Sequence, residues 1–262
     1  ILAGPFIGSA FFFFFSQPQG IRLNKYLASA GVGSRRACDT MVQQGEVVIN
    51  GQTCLNPGYR VQPEDFIKVN GRRIEPLEIQ SIVLHKPAGL VCTRSDENNR
   101  ATIYELLPPR LHHLAHVGRL DLDSEGLLIL SNDGELTQAL THPSHKIEKL
   151  YQVTTENAFE NSILTQLENG DFTDVAKARA VSVKRISSRR LEMVLNTGLK
   201  RQIRYMIQAV GHRVKRLVRV KIGELTLETL KPGKWRFLEK SERDALMSLS
   251  EKKRGSKNSS RG

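Results

Sequence analysis

An unbroken run of branched aliphatic residues, Leu127 to Leu130, is the feature that most restricts how this chain can fold. A short apolar run bounded by a glycine and by the turn pair Asp133-Gly134 is typical of a strand buried on both faces. The loop before it, Gly118 to Gly126, carries one arginine, three carboxylates and two glycines. Charged side chains on a loop fixed to a buried strand often belong to a catalytic or binding site. This loop is therefore the first candidate for a functional site.

The balance of charge predicts a polyanionic partner. The chain of 262 residues carries 39 basic and 27 acidic side chains, a net charge of +12, and each phosphate that such a surface neutralises releases counterions. Nucleic acid is the first expectation and an anionic membrane surface the second. The three cysteines form no Cys-x-x-Cys pair, which favours a reducing compartment over a disulfide framework. The histidines at 112, 113 and 116 lack a fourth residue at ligand spacing, so we predict no metal.

Residues 1–20 differ in composition from the rest of the sequence. Ile1 to Phe15 carries no charge and ends in five phenylalanines, but it is shorter than the roughly 18 residues of a membrane span. It has no basic n-region, so a complete signal peptide does not fit either. A truncated targeting segment and translated upstream sequence both remain open, and we leave these residues outside the predicted fold. We expect a cytoplasmic protein, with an organelle as the alternative if this segment is a targeting remnant.

Residues 21–77 predict a small domain of two helices and a few strands. Ser34 suits the N-cap of the second helix, and Asn50-Gly51 and Asn70-Gly71 suit two-residue hairpin turns. The domain resembles the small RNA-binding domain shared with a small-subunit ribosomal protein, the S-four-type domain. The segments that carry this resemblance are Leu23 to Leu27, Gly33 to Arg36 and Val48 to Gly51. The resemblance implies that Arg35 and Arg36 contact RNA phosphates.

Residues 81–240 predict a second, larger domain of the α+β class. Strands are indicated at Ser81 to His85, at Leu150 to Thr154 and at Val218 to Ile222, where Arg219 falls on the polar side of the alternation. Strands and helices interleave irregularly, which predicts a mixed, mainly antiparallel sheet. Residues 241–262 are polar and basic, and we expect them to be a disordered tail.

Three further motifs accompany the segment Gly118-Arg119-Leu120-Asp121. They are Lys149-Leu150-Tyr151, the helix start Leu199 to Arg204 and the strand around Leu217. Together, and in this order, they resemble the motifs of ribosomal RNA pseudouridine synthases of the Rsu/Rlu type. The resemblance extends over about residues 21 to 240, nearly the whole predicted fold.

The resemblance implies a role for each of these residues. Asp121 would be the nucleophile, Arg204 the cation that pairs with it and Tyr151 the ring that packs on the target base. A carboxylate that a base desolvates needs a nearby cation to stay ionised, and stacking on an aromatic ring contributes about 1–3 kcal/mol. Arg119 would fill the space that the flipped base leaves, and Leu217 would line the pocket. Further substrate contacts are expected from Lys86, Lys149 and Arg201.

The resemblance implies that the enzyme isomerises one uridine to pseudouridine in ribosomal RNA. It implies no cofactor, metal or energy source. The segment Gly33 to Arg36 favours large-subunit (23S-type) RNA over small-subunit RNA. The expected partner is ribosomal RNA or a ribosomal assembly intermediate, and the expected state is a monomer. Whether Asp121 attacks the ribose or the base stays open.

Three alternatives follow from the same residues. A non-catalytic RNA-binding protein with a degenerate synthase domain would keep the RNA affinity without the reaction. Asp123 and Glu125 could instead form the paired carboxylates of a hydrolase. A protein that binds DNA or anionic membranes through charge alone would explain the basic composition but not the motifs.

Overall fold

The chain divides into two compact units, Ile1–Ile79 and Gln80–Gly262. The computed structural model describes residues 20–170 and 179–258, so all but the last residue of the predicted N-terminal segment 1–20 lies outside the described residues. Among the helices in these two ranges, none has the length and hydropathy needed to cross a membrane.

The described part of the first unit contains two helices and short antiparallel strands. Its elements are β1 (Ile21–Arg22), α1 (Leu23–Ser29), α2 (Arg35–Gln43), β2 (Val47–Ile49), β3 (Gln52–Thr53), β4 (Arg60–Val61), β5 (Ile67–Val69) and β6 (Arg72–Arg73). Four of the strands form one sheet in the order β3-β2-β5-β6, and β1 pairs with β4. The predicted small helix-and-strand domain is confirmed.

Local sequence rules account for the first unit. Ser34 accepts a hydrogen bond from the backbone N–H of Ala37 at 3.2 Å and caps α2, as predicted. Asn50-Gly51 and Asn70-Gly71 all have positive φ, which tight hairpin turns require. The helices cover one face of the sheet, and the core between them is made of Leu23, Leu27, Cys38, Val42, Val47, Ile49, Val61, Ile67 and Val69.

The second unit is built on a nine-stranded sheet. Its strands are β7 (Ser81–Lys86), β8 (Ala115–Val117), β9 (Glu125–Ser131), β10 (Lys149–Thr155), β11 (Ser182–Ser187), β12 (Arg190–Leu195), β13 (Val214–Ile222), β14 (Leu225–Thr226) and β15 (Trp235–Phe237). Its helices are α3 (Gly134–Thr141), α4 (Ser162–Asn169), α5 (Gln202–Ala209) and α6 (Lys240–Asn258), with short 3-10 helices at Ile103–Leu106, Pro109–Leu111 and Pro143–His145.

The sheet of the second unit is mixed and mainly antiparallel, as predicted. The main strand order is β11-β12-β10-β13-β9-β7-β15, with β14 paired to β13 and β8 paired to β9. Among its described strand pairs, only β9 and β13 run parallel. They lie side by side at the centre of the sheet, so the loop that enters β9 opens beside β13.

Both faces of the sheet are covered. One face packs against α4 and α5 and includes Val153, Ile163, Leu167, Met193, Ile203, Met206 and Leu217. The opposite face packs against α3 and α6 and includes Val83, Leu127, Ile129, Leu136, Val218 and Leu246. The apolar run Leu127 to Leu130 is fully buried because its successive residues point to opposite faces of the sheet. Leu127 and Ile129 belong to the cluster with α3 and α6, whereas Leu128 and Leu130 pack with the 3-10 helices near residue 105.

The prediction of a disordered tail from residue 241 is wrong. Residues Lys240–Asn258 form α6, and Leu246 is completely buried against the sheet. Two ion pairs hold the start of the helix, Arg236 with Glu242 and Arg243 with Asp133. A basic stretch with only a few apolar residues can form a stable helix when those residues pack against a sheet. The polar composition alone therefore gave the wrong prediction. Residues 259–262 lie outside the described residues.

Candidate active site

The loop that carries Asp121 is held in place by a buried lysine. Lys86, the last residue of β7, is fully buried, and its ammonium donates to the backbone carbonyls of Pro87 (3.0 Å), Asp121 (3.1 Å), Leu122 (3.4 Å) and Ser124 (2.8 Å). Burial lowers the pKa of Lys86, and nearby acidic groups oppose that shift. Lys86 was predicted to contact the substrate. Because its ammonium is buried and bonded to these carbonyls, it instead holds the loop in position.

The Asp121 side chain is half-buried and keeps its carboxylate free in this structure. Within the described ranges it forms no side-chain hydrogen bond and no ion pair. The loop around it is fixed through its backbone, because the Asp121 carbonyl also accepts from Ser124 N at 3.1 Å and the Leu122 carbonyl accepts from Gly89 N at 2.7 Å. The backbone is thus anchored while the carboxylate stays available.

Arg204, on α5, reaches the loop but pairs with a different residue from the one predicted. Its Nε lies 3.1 Å from Asp123 Oδ2, in an ion pair whose N–H does not point at the oxygen. Its two terminal nitrogens donate to the carbonyls of Asp123 (2.8 Å) and Val214 (3.2 Å). Burial lowers the pKa of Arg204, and the charge of Asp123, with a smaller contribution from Asp121, opposes this. The predicted direct pairing with Asp121 is therefore replaced by pairing with Asp123.

Arg201 meets the same carboxylate from the start of α5. Its two terminal nitrogens donate to the two oxygens of Asp123, both at 3.2 Å. This hydrogen bonding raises the pKa of Arg201. Arg201 adopts a left-handed backbone conformation, with φ of 54°, that turns the chain into the helix. Two arginines of one helix start thus converge on Asp123, beside Asp121.

Tyr151 and Leu217 lie on the face of the sheet that α5 covers. Tyr151 of β10 pairs in register with Arg219 of β13, and Val153 pairs with Leu217, so all four side chains point to that face. Tyr151 is half-buried and packs against the hydrophobic cluster that contains Leu120, the residue before Asp121. Leu217 is buried in the neighbouring cluster, where a pocket-lining role and a core role coincide.

Gly126 explains how β9 and β13 approach so closely. A Cβ at Gly126 would lie 2.2 Å from the carbonyl oxygen of Arg219, and φ at Gly126 is +112°. No side chain fits there, and an L-residue would be strained in that backbone conformation. The second glycine of the loop motif is therefore required by the close pairing of the two central strands.

The other predicted substrate contacts have different surroundings. Arg119 is exposed, and its side chain forms no hydrogen bond or ion pair with the described residues. Lys149 opens β10 and donates to the carbonyl of Ile147 at 2.8 Å. Arg35 and Arg36 belong to the first unit, where both are exposed at the start of α2 and Arg35 lies 3.4 Å from Asn24 Oδ1.

Asp123 and Arg219 are two further residues whose contacts were not predicted from the sequence. Asp123 was considered only as half of a carboxylate pair, whereas the structure pairs it with arginines. Arg219 was placed on the polar side of an alternating strand, yet only 3% of it is exposed. The alternating pattern correctly placed Arg219 on the face opposite to Val218 and Ile222. It did not show that this face is buried.

The described residues offer no group of three or more His, Cys, Asp or Glu side chains placed to hold a metal ion. His112, His113 and His116 instead bond to the nearby backbone carbonyls of Leu107, Arg110 and Gly118. The chemistry available to the site comes from a free carboxylate, an aromatic ring and several guanidinium groups.

Comparison with known proteins shows which family this chain resembles. Residues 80–209 match the family described as RNA pseudouridylate synthase, and residues 21–67 match the S4 domain. A relative from Aquifex aeolicus, an uncharacterized RNA pseudouridine synthase, is 36% identical over 85% of this chain and 92% of its own length. Ribosomal large subunit pseudouridine synthase B of Bacillus subtilis is 33% identical over 88% of this chain and 97% of its own length.

A solved structure agrees with these matches. The crystal structure of a pseudouridylate synthase, 29% identical in sequence, superposes with a TM-score of 0.62 over 87% of this chain and 100% of that one. The fold and the site thus define an RNA-modifying enzyme with an S4 domain. The chain belongs to the family of RNA pseudouridine synthases, enzymes that isomerise uridine to pseudouridine.

Proposed function

We propose that this protein converts one uridine of large-subunit ribosomal RNA to pseudouridine, with Asp121 as the nucleophile. The observation that carries the proposal is the free Asp121 carboxylate on a loop fixed by Lys86, with the guanidinium groups of Arg204 and Arg201 close by. A positioned, ionised carboxylate is a competent nucleophile in covalent catalysis.

The reaction balances without any further reagent. Asp121 attacks the nucleoside, the bond between N1 and the sugar breaks, the base turns, and C5 forms the new bond to the sugar. C5 loses its hydrogen to solvent and N1 gains a proton, so the product is an isomer of the substrate. No electron acceptor or donor is needed, and Asp121 is released when the new glycosidic bond is complete.

The neighbouring side chains support the steps that precede the chemistry. A uridine within a folded RNA must leave its stack to reach Asp121, at a cost of a few kcal/mol. The half-buried ring of Tyr151 can offset part of this through stacking, which contributes about 1–3 kcal/mol per base. Arg204, paired with Asp123, places a positive charge beside the Asp121 loop. Exposed Arg119 lies two residues before Asp121 and can enter the space that the base vacates.

Similarity supports the ribosomal target. The relative from Bacillus subtilis is named for the large ribosomal subunit and matches along nearly its whole length, and the S4 domain with Arg35 and Arg36 provides a second RNA-binding unit. We propose that the substrate is large-subunit RNA, either free or within an assembly intermediate, and that the enzyme acts as a monomer in the cytoplasm.

Tritium release tests the proposal. Large- and small-subunit RNA transcripts that carry uridine tritiated at C5 are incubated separately with the protein and with Asp121→Asn. We expect stoichiometric release from the large-subunit transcript, and complete loss of release in Asp121→Asn with RNA affinity and melting temperature unchanged. Release from the small-subunit transcript alone would reassign the target.

Absence of release from both transcripts calls for one further substrate. The same assay on an immature large subunit separates a requirement for the particle from a lack of activity. Release there would support an assembly intermediate as substrate. No release there, with RNA binding intact, would overturn the proposed reaction in favour of a non-catalytic RNA-binding protein.

A further inference from the structure

Arg219 lies in the middle of the sheet, in a row of paired residues that joins the two sides of the site. Lys86 pairs in register with Gly126, Gly126 with Arg219, and Arg219 with Tyr151, across the adjacent strands β7, β9, β13 and β10. Paired residues point to the same face. The row therefore runs from the lysine that holds the Asp121 loop to the tyrosine of the site.

A buried arginine such as Arg219 is unusual at the centre of a sheet. Only 3% of the residue is exposed, and its Nε donates to the carbonyl of Leu127 at 2.8 Å. One terminal nitrogen is buried and has no hydrogen-bond partner. Among the described residues Arg219 forms no ion pair. A buried guanidinium without a carboxylate, and with an unmet donor, opposes folding.

Packing alone does not account for this residue. An apolar side chain would fill a sheet centre without leaving a buried donor unmet, and unmet buried donors in native proteins require a specific explanation. Departures from the rules of polar satisfaction concentrate at functional sites, where geometry matters more than stability. Arg219 meets that description, because it bonds to the residue after Gly126 and lies directly across from Tyr151.

We propose that Arg219 is a positioning residue for the isomerisation. By holding the Leu127 carbonyl, it fixes the start of β9, and with it the end of the Asp121 loop, against β13. Because Arg219 also pairs with Tyr151, it fixes the position of β10 relative to β13 as well. Arg219 thus fixes the spacing between Asp121 and Tyr151 without contacting the nucleotide. This role rests on the functions proposed above for those two residues.

Single-turnover tritium release compares Arg219→Met, Arg219→Lys and Arg216→Met. Arg216 is the matched control, because it lies on the same strand, points to the opposite face and also links β13 to β9, through an ion pair with Glu125. For Arg219→Met we expect full reaction amplitude, a rate constant about 100-fold lower, which is the scale expected for a misplaced reacting group, and RNA affinity equal to that of Arg216→Met.

Arg219→Lys retains a cation that can donate to Leu127, so we expect a rate constant between those of Arg219→Met and the unaltered protein. A reduced amplitude with an unchanged rate constant would reveal a merely structural role and overturn the proposal. A rate constant equal to that of Arg216→Met would do the same. If Arg219→Met does not fold, Arg219→Lys decides by these two criteria.

The same experiment separates this role from the proposed reaction. If the unaltered protein releases tritium and Asp121→Asn also does, the assignment of the nucleophile fails, whatever the Arg219 variants show. If Asp121→Asn is silent and the Arg219 variants match Arg216→Met, only the positioning role fails.

Discussion

Arg204 Nε lies 3.1 Å from the carboxylate of Asp123, two residues beyond Asp121, the nucleophile proposed above. The same carboxylate binds Arg201 through both of its oxygens. The two arginines differ in what else holds them: Arg204 also donates to the carbonyls of Asp123 and Val214, whereas the contacts of the Arg201 side chain are with the Asp123 carboxylate. About 40% of each partner in the Arg201 pair is exposed (38% and 43%), so this pair is weak and exchangeable.

Replacement of Asp123 by asparagine should therefore strengthen RNA binding. It frees Arg201 for a phosphate while backbone carbonyls keep Arg204 in place. Each additional phosphate contact steepens the dependence of log Kd on log salt by roughly 0.7–0.9. In a salt titration of RNA affinity, we expect the slope for Asp123→Asn to be steeper than that for the unaltered protein by about this amount.

Glu224→Gln is the matched control for this change. It also removes one carboxylate from an exposed pair, that with Lys221, elsewhere in the same unit. An equal change in slope for both variants would point to net charge alone. An unchanged slope for Asp123→Asn would show that Arg201 does not meet a phosphate.

Lys86→Met should separate loop positioning from substrate contact. Loss of the ammonium leaves the carbonyls of Pro87 and Ser124 without their donor, and an unmet buried group costs about 1–3 kcal/mol. We expect a loss of stability of that size in chemical denaturation, together with a roughly 100-fold lower rate of tritium release because Asp121 is misplaced.

Exposed Lys184→Met serves as the control for the loss of one positive charge. If Lys86 contacted RNA, as predicted from the sequence, Lys86→Met would weaken RNA binding and flatten its salt dependence more than Lys184→Met, with stability retained. That pattern would contradict the role that the structure gives Lys86.

Gly126→Ala should be far more harmful than an alanine at another left-handed glycine. A Cβ at Gly126 would collide with backbone atoms of Arg219 on the neighbouring strand. Backbone strain and overpacking each cost about 1–3 kcal/mol, so we expect a loss of about 2–6 kcal/mol in the free energy of unfolding. Gly211 also has positive φ but nothing within 4 Å of its Cβ position. Gly211→Ala should show the backbone strain alone, and equal losses would mean that the close pairing of β9 with β13 can relax.

Features set by neighbouring residues in the chain were predictable from the sequence. The Ser34 cap, the Asn-Gly turns and the buried strand at Leu127–Leu130 each follow from residues within a few positions of one another. The motifs also placed the predicted site residues on the expected elements of the second unit: Asp121 lies on the loop before β9, Tyr151 on β10 and Arg204 on α5.

Features set by distant segments were not predictable. Arg204 meets Asp123 instead of Asp121 because the loop backbone, fixed by Lys86, determines which carboxylate faces α5. β15 exists because Trp235–Phe237 pairs with β7, about 150 positions earlier in the chain. Arg219 is buried, and its side chain contacts the carbonyl of Leu127, 92 positions earlier in the chain. In each case the deciding partner is remote in sequence, so local pattern carries no signal for it.

Leu246→Ala should show that α6 is part of the folded catalytic unit. Leu246 is completely buried with Leu136 and Val218, and a buried leucine truncated to alanine costs about 2–5 kcal/mol. We expect a loss of that size in urea denaturation. Leu55→Ala, at a position that is 63% exposed, should change stability by less than about 0.5 kcal/mol. Similar small effects for both would mean that α6 does not contribute to the core.

The ion pair at the start of α6 should make its docking sensitive to acid. Arg236 donates to both oxygens of Glu242 at 2.7 Å, and this hydrogen bonding lowers the pKa of Glu242 below its ordinary 4.5. A carboxyl with a lowered pKa in the folded state adds stability above its unfolded pKa and loses it as the pH falls through the folded value. Glu242→Gln should therefore be about 1 kcal/mol less stable than the unaltered protein at pH 7, and the difference should shrink steadily as the pH falls below about 4.5. Chemical denaturation of both proteins across this range measures it, and a difference that stays constant down to full protonation would show that the carboxylate charge does not hold the helix.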